Sequence, residues 1–168
     1  MRSKERQNRK INKFLPINVI TGEKKMDHVV YLDAKANEFD NLLNGKKKMI
    51  IRGATGRKIP YGKVENGDRL YFINNNAEGM IKARAQASCV INSEKMDKDT
   101  SIKLVKANQN KLQLTADQFK KWAGKRYIVL IEVKDIEEIE PFQFNRDNFK
   151  NRMDDWLSIE NIDVVKKF

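Results

Sequence analysis

The plainest pattern in the chain is a strict alternation in "IKARAQASCVI", where Ile81, Ala83, Ala85, Ala87, Cys89 and Ile91 point one way and Lys82, Arg84, Gln86 and Ser88 the other. A period of two is the repeat of a strand with one buried face. The inward positions are mostly small, which suits a tightly curved sheet or small barrel whose opposite wall comes close. The apolar run "RYIVLIEV" predicts the most buried strand, and "HVVYLD", "MIIRGA" and "RLYFIN" predict three more.

Helical patterns separate these runs. Asp33 is placed to cap a short helix whose Phe39, Leu42 and Leu43 share a face before Gly45 ends it. "KDTSIKLVKANQNKL" carries Ile102, Val105 and Leu112 at roughly helical spacing. In "TADQFKKWAGK", Thr115 and Gln118 form a capping box, Phe119 and Trp122 lie on the inner face and Gly124 is the stop. This order predicts an α+β fold: a compact β-barrel with a helix before the second strand and a helical insert before the last core strand. Residues 1–26, rich in Arg, Lys and Asn, read as a basic N-terminal tail, 27–140 as the folded domain, and 141–168, from Pro141 on, as an extension containing "MDDWL".

Composition narrows the partners. A chain of 168 residues, 40% of them hydrophobic, can close one core. With 34 Lys plus Arg against 23 Asp plus Glu, its charge of +11 favours nucleic acid, an anionic membrane surface or acidic protein partners. No apolar run approaches the ~20 residues of a membrane span, and the opening residues lack the apolar stretch of a signal peptide. The expectation is a soluble, cytoplasmic protein with no membrane partner. Cys89 is the single cysteine, so no internal disulfide or thiolate metal cluster can form, and the lone His28 has no complementary partner in sequence. Both read as structural, and no metal or cofactor is expected.

The charge concentrates in "NGKKKMIIRGATGRK", with six basic residues and no acidic one around Met49, Ile50 and Ile51. Lys46, Lys47 and Lys48 sit just past a helix end, where cations gain ~0.3–1 kcal/mol each from its partial negative charge. A strand starting near Met49 directs Ile50 and Arg52 to one face, and an inward arginine needs an anion or an acid such as Glu132. Arg57, Lys58 and Lys63 lie in the next loop, where charge is ordinary but can act collectively on phosphates. Of the aromatics Tyr61, Tyr71, Trp122 and Trp156, loop residue Tyr61 is the better candidate for stacking on a base. Trp122 pairs with Phe119 in the core, and Trp156 can dock the extension. Asn74, Asn75 and Asn76 read as a turn.

Gly45, Lys47 and Arg52 together spell G-x-K-x-x-x-x-R between a helix and a strand, followed by "NGDRLYF". Over roughly residues 27–140 this arrangement resembles the ASCH domain family, a branch of the PUA-like superfamily. The resemblance implies a small PUA-like barrel with a cleft beside the motif, in a superfamily that commonly binds RNA or modified bases. One branch of the family hydrolyses acetylated cytidine with a lysine, a threonine and a glutamate. Lys47 matches the lysine, but the threonine position holds Ile50, which has no nucleophilic hydroxyl, and the motif assigns neither Thr55 nor Glu94 to the missing roles.

The expected function is therefore RNA or nucleotide binding through a cationic cleft that draws on Lys46, Lys47, Lys48, Arg52, Arg57, Lys58, Tyr61 and Lys63. The runner-up is a small amidohydrolase acting on a modified nucleoside, with Lys47 catalytic. A third reading has the cationic face bind an acidic protein.

Overall fold

The computed structural model of the chain describes residues 24–147 and 154–167. The expected basic tail lies outside the described residues apart from Lys24, Lys25 and Met26. Six strands form one sheet: β1 (Asp27–Leu32), β2 (Met49–Ala54), β3 (Arg69–Asn74), β4 (Met80–Asn92), β5 (Tyr127–Gln143) and β6 (Trp156–Ile159), in the order β2-β5-β4-β3-β1-β6. Every neighbouring pair is antiparallel except β1 with β3.

The sheet curls on itself. Ile50 of β2, Val30 and Leu32 of β1, and Trp156 of β6 belong to one buried cluster although they come from opposite ends of the strand order. Ala83, Ala85 and Ala87 of β4 face the same cluster, and their small side chains let the walls approach. The result is the α+β, barrel-like architecture that the alternation predicts.

That alternation holds only as far as Ala87. The β4–β5 register shifts between Ala87 and Cys89, so beyond it Val90 packs against the core while Cys89 is exposed and Ile91 is 42% exposed. An extra residue in one strand reverses which face the following side chains occupy, and this corrects the inward placement of Cys89 and Ile91.

Four helices complete the described residues: α1 (Glu38–Leu43), α2 (Lys98–Ala107), α3 (Gln109–Leu112) and α4 (Ala116–Trp122). Asp33 caps the turn ahead of α1 rather than the helix, its Oδ1 accepting from the amides of Lys35 at 3.0 Å and Ala36 at 3.3 Å. Gly45, at φ +80°, ends the α1 segment as predicted. The insert α2–α4 covers the outer face of β2 and β5, where Val105, Leu112 and Leu114 pack on Met49, Ile51, Ile128 and Leu130. Its last helix opens with the predicted capping box, Thr115 and Gln118 exchanging bonds of 3.2 and 3.1 Å.

Strand β5 runs through Pro141 to Gln143, so the proline does not end the sheet. The later residues return as β6, antiparallel to β1, followed by a 3-10 turn at Ile162–Val165. Trp156, 3% exposed, anchors β6 in the core, as the docking reading of that residue predicts. Among the described residues no helix is long and apolar enough to cross a membrane.

Candidate functional site

Alternation along β2 decides what each side chain reaches. Met49 and Ile51 face the helical insert, while Ile50 and Arg52 face the inside of the curl. Arg52 is 6% exposed and spans the gap between the sheet's two ends. Its Nη1 donates to the carbonyl of Ile51 at 2.8 Å and its Nη2 to that of Tyr31, on β1, at 2.6 Å. Its Nε lies 3.1 Å from Oδ2 of Asp155, an ion pair that misses hydrogen-bond geometry. The acid that serves the inward arginine is thus Asp155; Glu132 pairs with Lys111 instead, at 3.3 Å. The indoles of Trp122 and Trp156 flank the guanidinium, each ring centroid 5.6 Å away.

Arg52 forms part of the lining of a cleft of about 660 Å³. One wall is the loop after β2, with Lys58 and Tyr61; another is the end of α4 and the approach to β5, with Lys121, Trp122, Lys125 and Tyr127. Tyr31, Arg146, Asp154 and Asp155 line it from β1 and the C-terminal residues. Gly53 permits this packing, because a Cβ there would fall 3.1 Å from Cβ of Lys125.

Cations and rings interleave around the opening. Arg57 lies 5.7 Å from the Tyr61 centroid and 5.5 Å from that of Tyr127, and the two rings meet edge to face. The Tyr61 hydroxyl donates to the carbonyl of Ser93, fixing the ring. Lys121 sits 4.6 Å from the Trp122 centroid and Arg146 4.9 Å from that of Tyr31. Among the described residues five cations and two carboxylates line the cleft, leaving a net positive field beside flat apolar surfaces. Such a surface can take an anion and a planar ring together.

Lys47 is elsewhere. It has the parity of Met49 and Ile51, so it turns toward the insert, where it is 1% exposed and its ammonium donates to the carbonyl of Leu112. Oε2 of Glu38 lies 3.9 Å away, and Glu38 is itself held by Gln118 at 2.9 Å. Burial pushes the Lys47 ammonium down to about 8, Glu38 pulls it back up, and Arg52 adds to the downward push. The expectation that Lys47 and Arg52 reach one cleft is corrected by this parity.

Of the other residues expected at the site, Lys58 and Tyr61 line the cleft with Arg52, and Arg57 stacks on its rim. Lys46, Lys48 and Lys63 are exposed and outside the lining. Tyr71 is core, Thr55 and Asn75 line the cleft, and Glu94 is exposed away from it. Sequence reasoning missed Tyr31, Lys121, Lys125, Tyr127, Arg146 and the two aspartates. Two signals were available: the cationic run "KKWAGKR" around a helix stop, and an acidic pair beside a tryptophan in a basic chain.

No family model matches the chain, and no curated protein matches it. Among solved structures it is similar to ASCH from Zymomonas mobilis, at 17% identity over 78% of this chain and 85% of that one, with a TM-score of 0.57. Two single-residue variants of the same protein give TM-scores of 0.54 and 0.52 at 16% and 17% identity, over 71% and 70% of this chain and 75% of each of theirs. At these identities the likeness is one of fold, and it is the kind of fold that the G-x-K-x-x-x-x-R resemblance predicts.

Proposed function

We propose that this chain is an ASCH-type, PUA-like module that binds RNA or a nucleotide in the cleft around Arg52. The observation that carries this reading is the arginine itself: 6% exposed, fixed by two main-chain carbonyls, flanked by two indoles and lining a cleft in which cations outnumber carboxylates. A buried guanidinium held this way offers donors to a phosphate or base carbonyl with little ordering left to do. The adjacent ring faces suit an unpaired base, a stacking interaction worth ~1–3 kcal/mol. The cleft volume is in the range of small-ligand pockets, enough for one nucleotide unit. A cytoplasmic setting, expected from the sequence, fits such a ligand.

Trp122 and Trp156 report on the site directly. Titration with ribonucleoside 5′-monophosphates should quench tryptophan emission in the wild type and not in Arg52→Gln. Unchanged emission with all four nucleotides and with single-stranded RNA would contradict the reading.

The amidohydrolase reading keeps one supporting observation, a lysine pushed down to about 8 and therefore nearer to acting as a base. Against it, Ile50 is 0% exposed and Lys47 lies outside the cleft lining. Release of cytidine from acetylated cytidine, abolished in Lys47→Met, is the result that would restore it.

A further inference from the structure

Two carboxylates stand in the cationic cleft, and both come from the residues leading into β6. Asp155 Oδ2 lies 3.1 Å from Arg52 Nε, and Asp154 Oδ1 lies 3.6 Å from Lys58 Nζ. Neither carboxylate is needed to hold its own backbone. The Tyr31 amide donates to the carbonyl of Asp155 at 3.0 Å, Arg146 Nη2 donates to that of Asp154 at 2.6 Å, and the Trp156 indole donates to His28 Nδ1 at 3.1 Å. The backbone is pinned and the acids are free to turn: their side chains are 41% and 29% exposed for Asp155 and Asp154.

Arg52 Nε, though buried, makes no hydrogen bond, so Asp155 is an incomplete partner for it. A phosphate oxygen arriving in the cleft would meet a guanidinium whose counter-ion is close but poorly aimed.

We propose that Asp154 and Asp155 act as a built-in competitor for the cleft, occupying the anion position until a nucleotide phosphate displaces the Asp155 carboxylate from Arg52. The proposal rests on the nucleotide-binding reading above and adds its regulation. It needs only side-chain rotation, since the main-chain bonds of both residues survive the exchange. It also makes affinity depend on two acids whose removal leaves the shape of the cleft intact. Substituting both by asparagine should tighten binding on the order of tenfold, as expected for removing two like charges at close range in a solvated site.

The test compares wild type with Asp154→Asn/Asp155→Asn in two assays, with Asp155→Asn alone replacing the double variant if that one fails to fold. In the first, inorganic pyrophosphate is added during thermal unfolding; a ligand that binds only the folded state raises the melting temperature. A larger rise in the asparagine variant is the expected result, and an equal or smaller rise overturns the competitor. In the second, anisotropy of a labelled single-stranded RNA should report tighter binding by the variant. Weaker binding would overturn the proposal by making the aspartates direct ligand partners. If neither protein binds RNA while the pyrophosphate difference persists, the nucleic-acid reading fails and the competitor stands.

Discussion

Two cations five residues apart carry opposite fates. Arg52 points into the curl and Lys47 toward the insert because an odd sequence separation places them on opposite faces of one extended stretch. The inward arginine was legible from that alternation; its counter-ion was not, since Asp155 lies 103 positions away in sequence and only the return of β6 brings it close. Lys47 gives a pH prediction. Folded, it releases its proton near 8, whereas the unfolded chain holds it to about 10.4. Between those values the unfolded state binds more protons, so stability rises with pH by an amount on the order of 2 kcal/mol. Denaturant unfolding from pH ~8 to ~10 should show this slope in the wild type and its absence in Lys47→Met; parallel slopes would mean that Lys47 does not titrate as a buried group.

Elements were read well where their signals are local. Thr115 and Gln118 announce α4 because a capping box needs only residues three apart, and Thr115→Ala should cost about 1 kcal/mol in urea unfolding. The bulge in β4 was illegible, because an extra residue is defined against the partner strand and leaves the alternation in sequence undisturbed. Strand β6 was hidden for a similar reason: four residues have no periodicity of their own, and Trp156 and His28 define them together. The indole N–H can only donate, so His28 Nδ1 accepts and the ring proton sits on Nε2, bonded to Asp68 at 2.8 Å. Burial pushes His28 below its ordinary value, against the pull of Asp68 and Asp27. The folded ring therefore takes up a proton at lower pH than the unfolded one. The stability it contributes is present above about 6.5 and falls away as pH drops from there through the folded value. Unfolding measured downward from pH ~7 should steepen in the wild type relative to His28→Gln. Trp156→Phe, which removes the indole donor, should cost about 1 kcal/mol or more at neutral pH.

At the scale of the molecule, the curl is what makes a site. Only when β2 and the β1–β6 edge meet do Arg52, the rings of Trp122 and Tyr31, and the cations Lys121, Lys125 and Arg146 share one cleft. The barrel-like class was legible because small residues on one face of β4 demand a close opposite wall. The composition of the cleft was less so, because its walls come from stretches far apart in sequence and contiguous charge drew attention to Lys46 and Lys48 instead. That contrast supplies the most direct measurement: anisotropy of a labelled single-stranded RNA across a salt series, for wild type, Lys121→Ala/Lys125→Ala and Lys46→Ala/Lys48→Ala. All four lysines are exposed, so these variants keep the fold, and each pair removes the same charge. The cleft pair should lower affinity at least tenfold and flatten the salt slope by about 0.7 for each phosphate that no longer meets a cation, while the control pair changes binding far less. Equal weakening in the two variants would mean that the RNA follows net charge and does not enter the cleft.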